Sequence, residues 1–259
     1  MLGLLAAAAG ARAQDIPSHP ALNDRFYAGA GIFFPKTGTS AQLTSRTGVG
    51  TVIDFEDSLG IDASSSVPAG LVRWRFGERW RVEAEYFQLK RNGERVIDRE
   101  IQWGENTYPV NASVSSRFDF FDLRVSAGYS FFRTRDKEIG AGLGLHVAGY
   151  DVGLTANAIG TEEQDITAPL PVISLYGQFA LTDRWAVSAR LDRFSLSYEN
   201  YDGSLSALGI DVMYQPFRHV GFGAGYRSLF IDLEAEKSAR HLKVEQSFQG
   251  PLLFMTVSF

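Results

Sequence analysis

Residues 251–259 read PLLFMTVSF, a stretch in which apolar residues recur at every second position. Successive side chains of an extended strand point to opposite faces, so one face of this strand is wholly apolar. That face carries Leu253, Met255, Val257 and Phe259. In a chain of which 45% is hydrophobic, such a face needs apolar surroundings outside the protein, and a bilayer supplies them. The stretch therefore predicts a strand of a transmembrane β-barrel.

Composition excludes several classes of protein. No run of about 18 apolar residues occurs, which excludes a transmembrane helix, whereas the strands of a barrel alternate and need no such run. The chain contains no cysteine, so disulfides and thiolate metal sites need not be considered. Its net charge of −5 argues against nucleic acid as a partner.

The first residues are typical of an export signal. An apolar run over Leu2–Ala9 precedes the small residues Ala11 and Ala13, which fit a signal-peptidase site with cleavage after Ala13. The basic segment that begins a signal peptide is missing, so the signal is predicted to be truncated at its start. The alternative is an apolar N-terminus without a targeting role. The predicted organisation is a signal peptide over 1–13, a periplasmic segment over 14–24 and a barrel domain over 25–259.

Short connections flanked by aromatic residues alternate with longer polar ones, the asymmetry of outer-membrane barrels. The longer connections are Pro35–Val67, Arg91–Asn111, Ala156–Ala168 and Glu234–Leu242, with a short turn at Tyr201–Gly203. Counting between the connections predicts an all-β chain that forms one up-and-down antiparallel barrel of ten strands, with both termini on the periplasmic side. The predicted strands are Arg25–Phe34, Ala69–Phe76, Trp80–Lys90, Arg117–Phe132, Glu138–Tyr150, Leu170–Leu181, Trp185–Tyr198, Leu205–Tyr214, Val220–Leu233 and Val244–Phe259.

Two other strand counts stay open. An eight-stranded barrel would result if strands are wrongly assigned at the first long connection, and a twelve-stranded barrel would require membrane strands around Thr51–Glu56. A soluble sandwich would show the same alternation. The lack of a helix to cover a sheet and the aromatic residues at strand ends favour the membrane barrel.

Parity within the strands places charged residues of both signs on the face opposite the apolar one, which becomes the lumen. The predicted lumen residues are Arg73, Arg75, Arg81, Glu83, Glu85, Asp122, Arg124, Arg190, Asp192, Asp211 and Arg227. Side chains can largely fill a barrel of this size, and an unpaired buried charge costs several kcal/mol. We therefore expect a paired, hydrogen-bonded plug. A narrow charge-lined pore for small solutes is the alternative.

Glycines at alternate positions in three strands, such as Gly140, Gly142 and Gly144, superficially resemble a phosphate-binding loop. They lie within strands, and no helix follows them, so they are predicted instead to leave space in the lumen beside bulky residues such as Arg73 and Arg75.

A catalytic role is not expected. A site like that of a lipid A deacylase would need a serine two residues after a histidine, and neither His146 nor His241 has one. A site like that of an omptin protease would need an aspartate–histidine pair at the rim, but Asp151 and His146 are five residues apart and therefore lie on opposite faces. An enzyme at the outer rim that acts on lipid A or peptides remains the last alternative.

Charged groups in the outer connections suggest two ligands. The acidic clusters Asp54, Glu56, Asp57 and Glu162, Glu163, Asp165 could offer oxygens to a divalent cation, but their spacing fits no binding loop. A solvated surface without a metal or cofactor is therefore predicted. Arg91, Arg95 and Arg99 recur at every fourth residue and share one face of an extended strand. They are candidates for contact with lipopolysaccharide phosphates, with a solvated edge as the equal alternative.

The chain resembles the small outer-membrane β-barrel proteins of Gram-negative bacteria, the broad OmpA-like or opacity-type superfamily. The resemblance rests on Ala11-Arg12-Ala13, on the rhythm of strands and turns, and on Phe259. It implies location in the outer membrane, contact with lipid and lipopolysaccharide, and recognition of the final strand by the barrel-assembly machinery. Gly250 lies earlier in that strand than the family pattern has it. A monomeric, non-enzymatic protein with a structural or surface-interaction role is expected.

Overall fold

A computed structural model of the chain describes residues 16–157, 159–198, 201–237 and 240–259, so the predicted signal peptide lies outside the described residues. Its elements, in chain order, are α1 (Pro20–Asn23), β1 (Phe26–Phe33), β2 (Lys36–Leu43), β3 (Ile53–Asp54), α2 (Phe55–Leu59), β4 (Val67–Phe76), β5 (Trp80–Val96), β6 (Ile101–Trp103), β7 (Asn106–Tyr108), β8 (Ser113–Arg133), β9 (Lys137–Ala156), β10 (Gly160–Ala180), β11 (Trp185–Tyr198), β12 (Tyr201–Tyr214), β13 (Val220–Lys237) and β14 (Arg240–Ser258).

Ten of the strands form a closed antiparallel barrel. Their order around the wall is β1-β4-β5-β8-β9-β10-β11-β12-β13-β14, and β14 pairs with β1 from Tyr27↔Ser258 to Phe33↔Leu252. The predicted ten-stranded all-β barrel is thereby confirmed, and the counts of eight and twelve are wrong. Neither helix among the described residues is long and apolar enough to cross a membrane.

The first long connection is partly strand. β2 continues the line of β1 outward and pairs with the outer half of β14, from Gln249↔Lys36 to Leu242↔Leu43. Pro35 separates β1 from β2 because proline has no N–H to donate to the ladder. Gly250 lies against this break, and a Cβ there would collide with the carbonyl of Phe34. The position of Gly250 in β14 thus follows from packing against the kink.

The strands continue well beyond the bilayer. β8 and β10 have 21 residues each and β9 has 20, whereas about 9–11 residues span a membrane in a tilted barrel. Most of the predicted connection Ala156–Ala168 therefore lies in β9 and β10, and most of Glu234–Leu242 lies in β13 and β14. Those boundaries were wrong because a strand that faces water on its outer side loses the hydrophobic alternation by which a membrane strand is recognised.

The lipid-facing belt is the set of apolar side chains that point outward from the half of the barrel that carries the short turns, the half predicted to be periplasmic. On β8, for example, Val125 and Tyr129 are exposed by 41% and 39%, while Arg124, the residue before Val125, is buried. Aromatic rings cluster at the edge that carries the short turns, where the Phe76 and Trp80 centroids are 6.2 Å apart and those of Trp80 and Tyr129 are 5.1 Å apart. Such a girdle is typical of the membrane interface.

Candidate functional site: the filled lumen

The barrel interior has a charged layer in the half that carries the short turns and an aromatic layer above it, toward the long connections. Inward positions of β5 run from Arg81 and Glu83 to Phe87 and Leu89 on going outward, and β8 has the same sequence of layers. All eleven predicted lumen residues point into the charged layer: Arg73, Arg75, Arg81, Glu83, Glu85, Asp122, Arg124, Arg190, Asp192, Asp211 and Arg227.

Glu138 is a fully buried acid of the charged layer. It accepts two hydrogen bonds from Arg75, of 2.9 and 2.7 Å, and both side chains are almost fully buried. The Ser130 hydroxyl also donates to Glu138, and a guanidinium nitrogen of Arg81 lies 3.9 Å from it. Two parallel hydrogen bonds between a guanidinium and a carboxylate form the strongest kind of ion pair in proteins. Sequence reasoning missed Glu138, although it shares the parity of the inward glycine Gly140.

A second group surrounds Asp192, which is fully buried. Arg124 donates to its two oxygens at 2.7 and 3.2 Å, and the Ser174 hydroxyl donates to it as well. His146 lies between two aspartates, because its Nδ1 is 3.0 Å from Asp122 and its Nε2 is 3.6 Å from Asp192. The histidine is therefore part of the network that joins β8, β9 and β11.

A third group crosses the lumen to β5. Arg190 lies 2.7 Å from Glu85, and Arg227 bonds Glu85 at 3.0 Å and Asp211 at 2.7 Å. With the two groups above, six arginines face six carboxylates. The arginines are Arg73, Arg75, Arg81, Arg124, Arg190 and Arg227, and the carboxylates are Glu83, Glu85, Asp122, Glu138, Asp192 and Asp211. Their formal charges cancel, which makes the layer compatible with a low-dielectric interior.

The inward glycines make room for large side chains, but for different ones than predicted. A Cβ on Gly128 or Gly140 would collide with the ring of Tyr176, and one on Gly223 would collide with Phe254. The Arg81 guanidinium in turn stacks on Tyr176, 3.2 Å from the ring centroid. The glycines thus accommodate Tyr176 and Phe254 and not Arg73 or Arg75. The inward position of Tyr176 could not be predicted from parity, because both faces of β10 carry apolar residues.

The aromatic layer fills the lumen above the charges. The centroids of Phe120 and Phe248 are 4.6 Å apart, and Phe87 lies within 5.7 Å of both and 5.4 Å from Phe33. Tyr150 completes the cluster at 4.9 Å from Phe120. The predicted plug consisted of charges alone and lacked this layer, since inward aromatic residues interrupt the polar parity of the outer half-strands.

Helix α1 closes the end of the lumen that carries the short turns. Ala21 and Leu22 are fully buried, and their carbonyl oxygens accept hydrogen bonds from Arg73 and, at 3.1 Å, from Arg133. Burial lowers the pKa of His19, whose Nδ1 accepts the Ala21 N–H at the start of the helix. The predicted periplasmic segment is thus held by contacts with the barrel.

The outer end is closed by α2 and the β6–β7 hairpin. Phe55 of α2 and Trp103 and Tyr108 of the hairpin are fully buried, and the Phe55 and Trp103 centroids are 6.2 Å apart. The Tyr108 hydroxyl donates to the Leu154 carbonyl oxygen at 2.9 Å, which fixes the hairpin to β9. Helix α2 and this hairpin together form the outer lid.

The three arginines predicted to contact lipopolysaccharide bind the outer lid. Arg91 is 5% exposed, donates to Glu56 and lies 2.6 Å from the Thr39 hydroxyl. Arg95 donates to the Asp57 carbonyl oxygen, and Arg99 donates to Ser58 at 3.0 Å. For Arg91 the prediction is wrong, because the shared face of β5 on which it lies is the inner one.

The acidic clusters of the outer connections also have partners within the protein. Asp54 accepts the Asp57 N–H as the N-cap of α2, and Glu56 binds Arg91. In the second cluster, Glu163 lies 3.5 Å from Arg117, which binds Asp151 at 2.8 Å. Within the described part of the chain, no group of three acidic or histidine side chains is arranged to hold a metal ion.

Little space remains in the lumen. Two cavities in the described part of the barrel interior measure about 50 and 40 Å³. Eight charged side chains contribute to the lining of the first, and the second extends beneath Phe33 and Phe87. Volumes of this size hold a few water molecules at most. The four residues of the predicted assembly signal lie on the lipid side, exposed by 54%, 55%, 39% and 61% for Leu253, Met255, Val257 and Phe259.

No protein-family model and no curated protein matches the chain. Among solved structures, the chain is similar to the outer membrane protease OmpT from Escherichia coli, with a TM-score of 0.56 and 9% identity over 90% of this chain and 97% of that one. The translocator domain of autotransporter NalP from Neisseria meningitidis gives a TM-score of 0.45 and 12% identity over 92% and 91% of the two chains. The outer membrane protein OprG from Pseudomonas aeruginosa gives 0.42 and 14% over 95% and 99%.

At such identities the likeness shows the fold alone. The closed ring of ten strands, the lipid-facing belt and the similarity to OmpT agree. The chain has the fold of the small outer-membrane β-barrels of Gram-negative bacteria.

Proposed function

We propose that this protein is a non-conducting, non-enzymatic barrel of the outer membrane with a structural or surface-interaction role. The observation that carries the proposal is the filling of the lumen at four successive levels: α1, the charged layer, the aromatic layer and the outer lid. A solute would have to displace paired charges and packed aromatic rings together, and breaking a buried pair alone costs about 3–5 kcal/mol.

Single-channel recording in planar bilayers tests this proposal against a narrow porin. The wild-type barrel should give no discrete openings. Openings that disappear when Arg73 and Arg75 are neutralised would refute a filled lumen, because the current would then pass through the charged layer.

Cysteine accessibility provides a second measurement, since the chain contains no native cysteine. Ser188 lines the charged cavity, and Glu78 lies exposed in the β4–β5 turn. Ser188→Cys should react with a charged thiol reagent far more slowly than the control Glu78→Cys. Equal rates in folded protein would contradict the closed lumen.

The arrangement of the histidines supports the non-enzymatic part of the proposal. His146 is enclosed by aspartates in the lumen, and His19 is buried at the start of α1. His241 binds Glu234 at 2.6 Å on the outer part of the wall. An unchanged lipid A profile in a deletion strain and no hydrolysis of a peptide library by the purified barrel are the expected results. Either activity, if lost in His241→Ala, would refute the proposal.

Location in the outer membrane and assembly through Phe259 are parts of the same proposal. The protein should sediment with the outer membrane in a density gradient and should migrate as a monomer that changes mobility on boiling. Phe259→Ala should slow insertion, as judged by the fraction with folded mobility, without changing the final fold. Fractionation with the inner membrane would refute the location.

A further inference from the structure

The wall of the barrel contains a seam above the lipid-facing belt, between β2 and β5. β4 pairs with β5 only as far as Ala69↔Phe87, although β5 continues outward to Val96. Among the described residues, no backbone hydrogen bond joins the outer part of β5 to the chain between β3 and β4. Residues 55–62, which are α2 and the chain as far as Asp62, fill the seam instead. We call residues 55–62 the flap.

The flap is hinged on β2 and fastened to β5 by side chains. At its two ends the chain continues into β3 and into residues 63–65, both of which are bonded through their backbone to β2 or to Pro35 just before it. On the hinge side, the Thr39 N–H also donates to Glu56 at 2.8 Å. The contacts with β5 are hydrogen bonds from three arginines, which form a latch: Arg91 to Glu56, Arg95 to the Asp57 carbonyl oxygen, and Arg99 to Ser58. Release of the latch would free the flap without breaking any pair of strands.

Phe55 is the aromatic ring that the flap places in the lumen. It is fully buried, and its ring meets those of Trp103 and Phe118 edge to face, with centroids 6.2 and 5.6 Å apart. Phe118 belongs to β8, and Trp103 belongs to the hairpin that Tyr108 fixes to β9. Neither partner is part of the flap. Because edge-to-face contacts select aromatic rings, these partners form a cage for one such ring.

Two buried polar atoms beside the latch have no hydrogen-bond partner within the described structure. They are Nε of Arg91 and Oε1 of Gln246, whose side chains are 5% and 3% exposed. Thr39 lies opposite Gln246 in the register of β2 and β14, and its hydroxyl is 2.6 Å from Arg91. The Arg91 guanidinium also lies over the Phe118 ring, 4.8 Å from its centroid. A donor and an acceptor thus lie close to the cage, and one hydroxyl group can satisfy both of them.

We propose that the cage around Phe55 is a binding site for a small phenolic molecule, which enters through the seam when the flap swings away from β5. The ligand ring replaces that of Phe55 against Trp103 and Phe118, and its hydroxyl group faces Arg91 and Gln246. The charged layer below stays closed, so the site binds its ligand without conducting. The spacing of Arg91, Arg95 and Arg99 on one strand face acquires a role as the latch of this entrance.

A disulfide across the seam tests the entrance. A Cβ on Gly60 would lie 3.7 Å from the Cβ of Arg95, which is a disulfide separation, and the chain has no native cysteine. In Gly60→Cys/Arg95→Cys the flap is locked to β5 when oxidised and free when reduced, so one protein is its own control. Phenol is the probe. The reduced protein should bind phenol at least about tenfold more tightly than the oxidised one, because only the reduced protein populates the open state.

Trp103 reports binding, since the other three tryptophans flank short turns at the opposite edge and can be replaced. The background for all titrations is therefore Trp74→Phe/Trp80→Phe/Trp185→Phe. Saturable quenching of Trp103 emission by phenol is expected in this background. Cyclohexanol has the same size and hydroxyl group without an aromatic ring, and it should bind about fivefold more weakly.

Variants of the latch give a test that needs no disulfide. Arg95→Met/Arg99→Met removes two hydrogen bonds to the flap and should tighten phenol binding about tenfold, because it raises the open fraction. Arg117→Met is the matched control: Arg117 binds Asp151 on β9 and does not touch the flap, so its removal should leave the affinity unchanged. All proteins must show folded mobility on an unboiled gel.

Several outcomes would overturn the inference. Trp103 emission that phenol does not change saturably would mean that there is no site in the cage. Equal affinity in the oxidised and reduced forms, or in the latch variant and its control, would mean that the flap does not govern entry. Equal affinity for cyclohexanol would refute selection of an aromatic ring. The proposed function fails separately, since discrete conductance of the ligand-free barrel would refute it whatever phenol does.

Discussion

Removal of Arg75 should destabilise the barrel strongly, because it leaves Glu138 as a buried charge without its main partner. Both side chains are almost fully buried and share two hydrogen bonds of 2.9 and 2.7 Å. Breaking one partner of such a pair costs about 3–5 kcal/mol. Arg81 remains 3.9 Å from Glu138 and offsets part of the loss. We therefore expect Arg75→Met to lower the free energy of unfolding by about 3 kcal/mol, near the lower end of that range.

The assay is reversible unfolding in urea with detergent micelles or thin vesicles, followed by tryptophan fluorescence and by the mobility of unboiled samples on gels. Arg79→Met, in the exposed β4–β5 turn, is the matched control and should be neutral. The double variant Arg75→Met/Glu138→Leu removes both charges and should recover most of the stability, so the two substitutions should be far from additive.

Two results would refute this reasoning. A loss below about 1 kcal/mol for Arg75→Met would mean that Glu138 is solvated or protonated in the native barrel, because a paired surface charge contributes no more than this. A double variant as unstable as the sum of the single ones would mean that the two residues do not interact.

Three further predictions concern other levels of the lumen. Burial lowers the pKa of His19, so the docked form of α1 favours the neutral ring. Docking of α1 should therefore be complete above the usual histidine pKa of 6.5 and should weaken as the pH falls below it, which amide exchange of α1 would report as a faster rate. An exchange rate of α1 that does not depend on pH would contradict the burial of a neutral His19. Gly140→Ala should lower the free energy of unfolding by about 1–3 kcal/mol, because the added methyl group overpacks against Tyr176. In urea titrations, Tyr176→Leu in the same chain should restore part of that stability. An unchanged stability of Gly140→Ala would refute the close contact. Phe120→Ala should lower the free energy of unfolding by about 3–5 kcal/mol, yet it should produce no channel in planar bilayers, since the charged layer below Phe120 stays closed. Discrete openings would show that the aromatic layer alone seals the lumen.

Much of the barrel could be predicted because strand parity is a local property. The alternation of Arg73 and Arg75 with Val72 and Trp74 is visible in the sequence and translates directly into inward and outward faces. The aromatic residues beside short turns located one edge of the lipid-facing belt for the same reason. Outside the bilayer this signal disappears, since both faces can be polar, and there the predicted strand ends and connections differed from the structure.

The candidate site was only partly predictable. Parity placed eleven charged residues in the lumen, but Glu138 was overlooked at the start of its strand and the aromatic layer was not foreseen. Arg91 illustrates the limit: its spacing from Arg95 and Arg99 is that of one strand face, yet spacing does not say whether that face is inner or outer. The buried contact with Glu56 of α2 depends on a connection that folds back over the lumen.

The sequence by itself determined that the chain is a membrane barrel and that eleven charged residues of its membrane strands face the interior, because the two-residue period of a strand and the polarity of its surroundings are read at each position independently. The tertiary structure decided which charges meet. Arg75 binds Glu138 across 63 positions of sequence because closure of ten tilted strands brings β4 and β9 to face each other through the lumen. The same closure placed α1 at one end and the outer lid at the other. No local pattern encodes those contacts, since they depend on the diameter and stagger of the whole barrel.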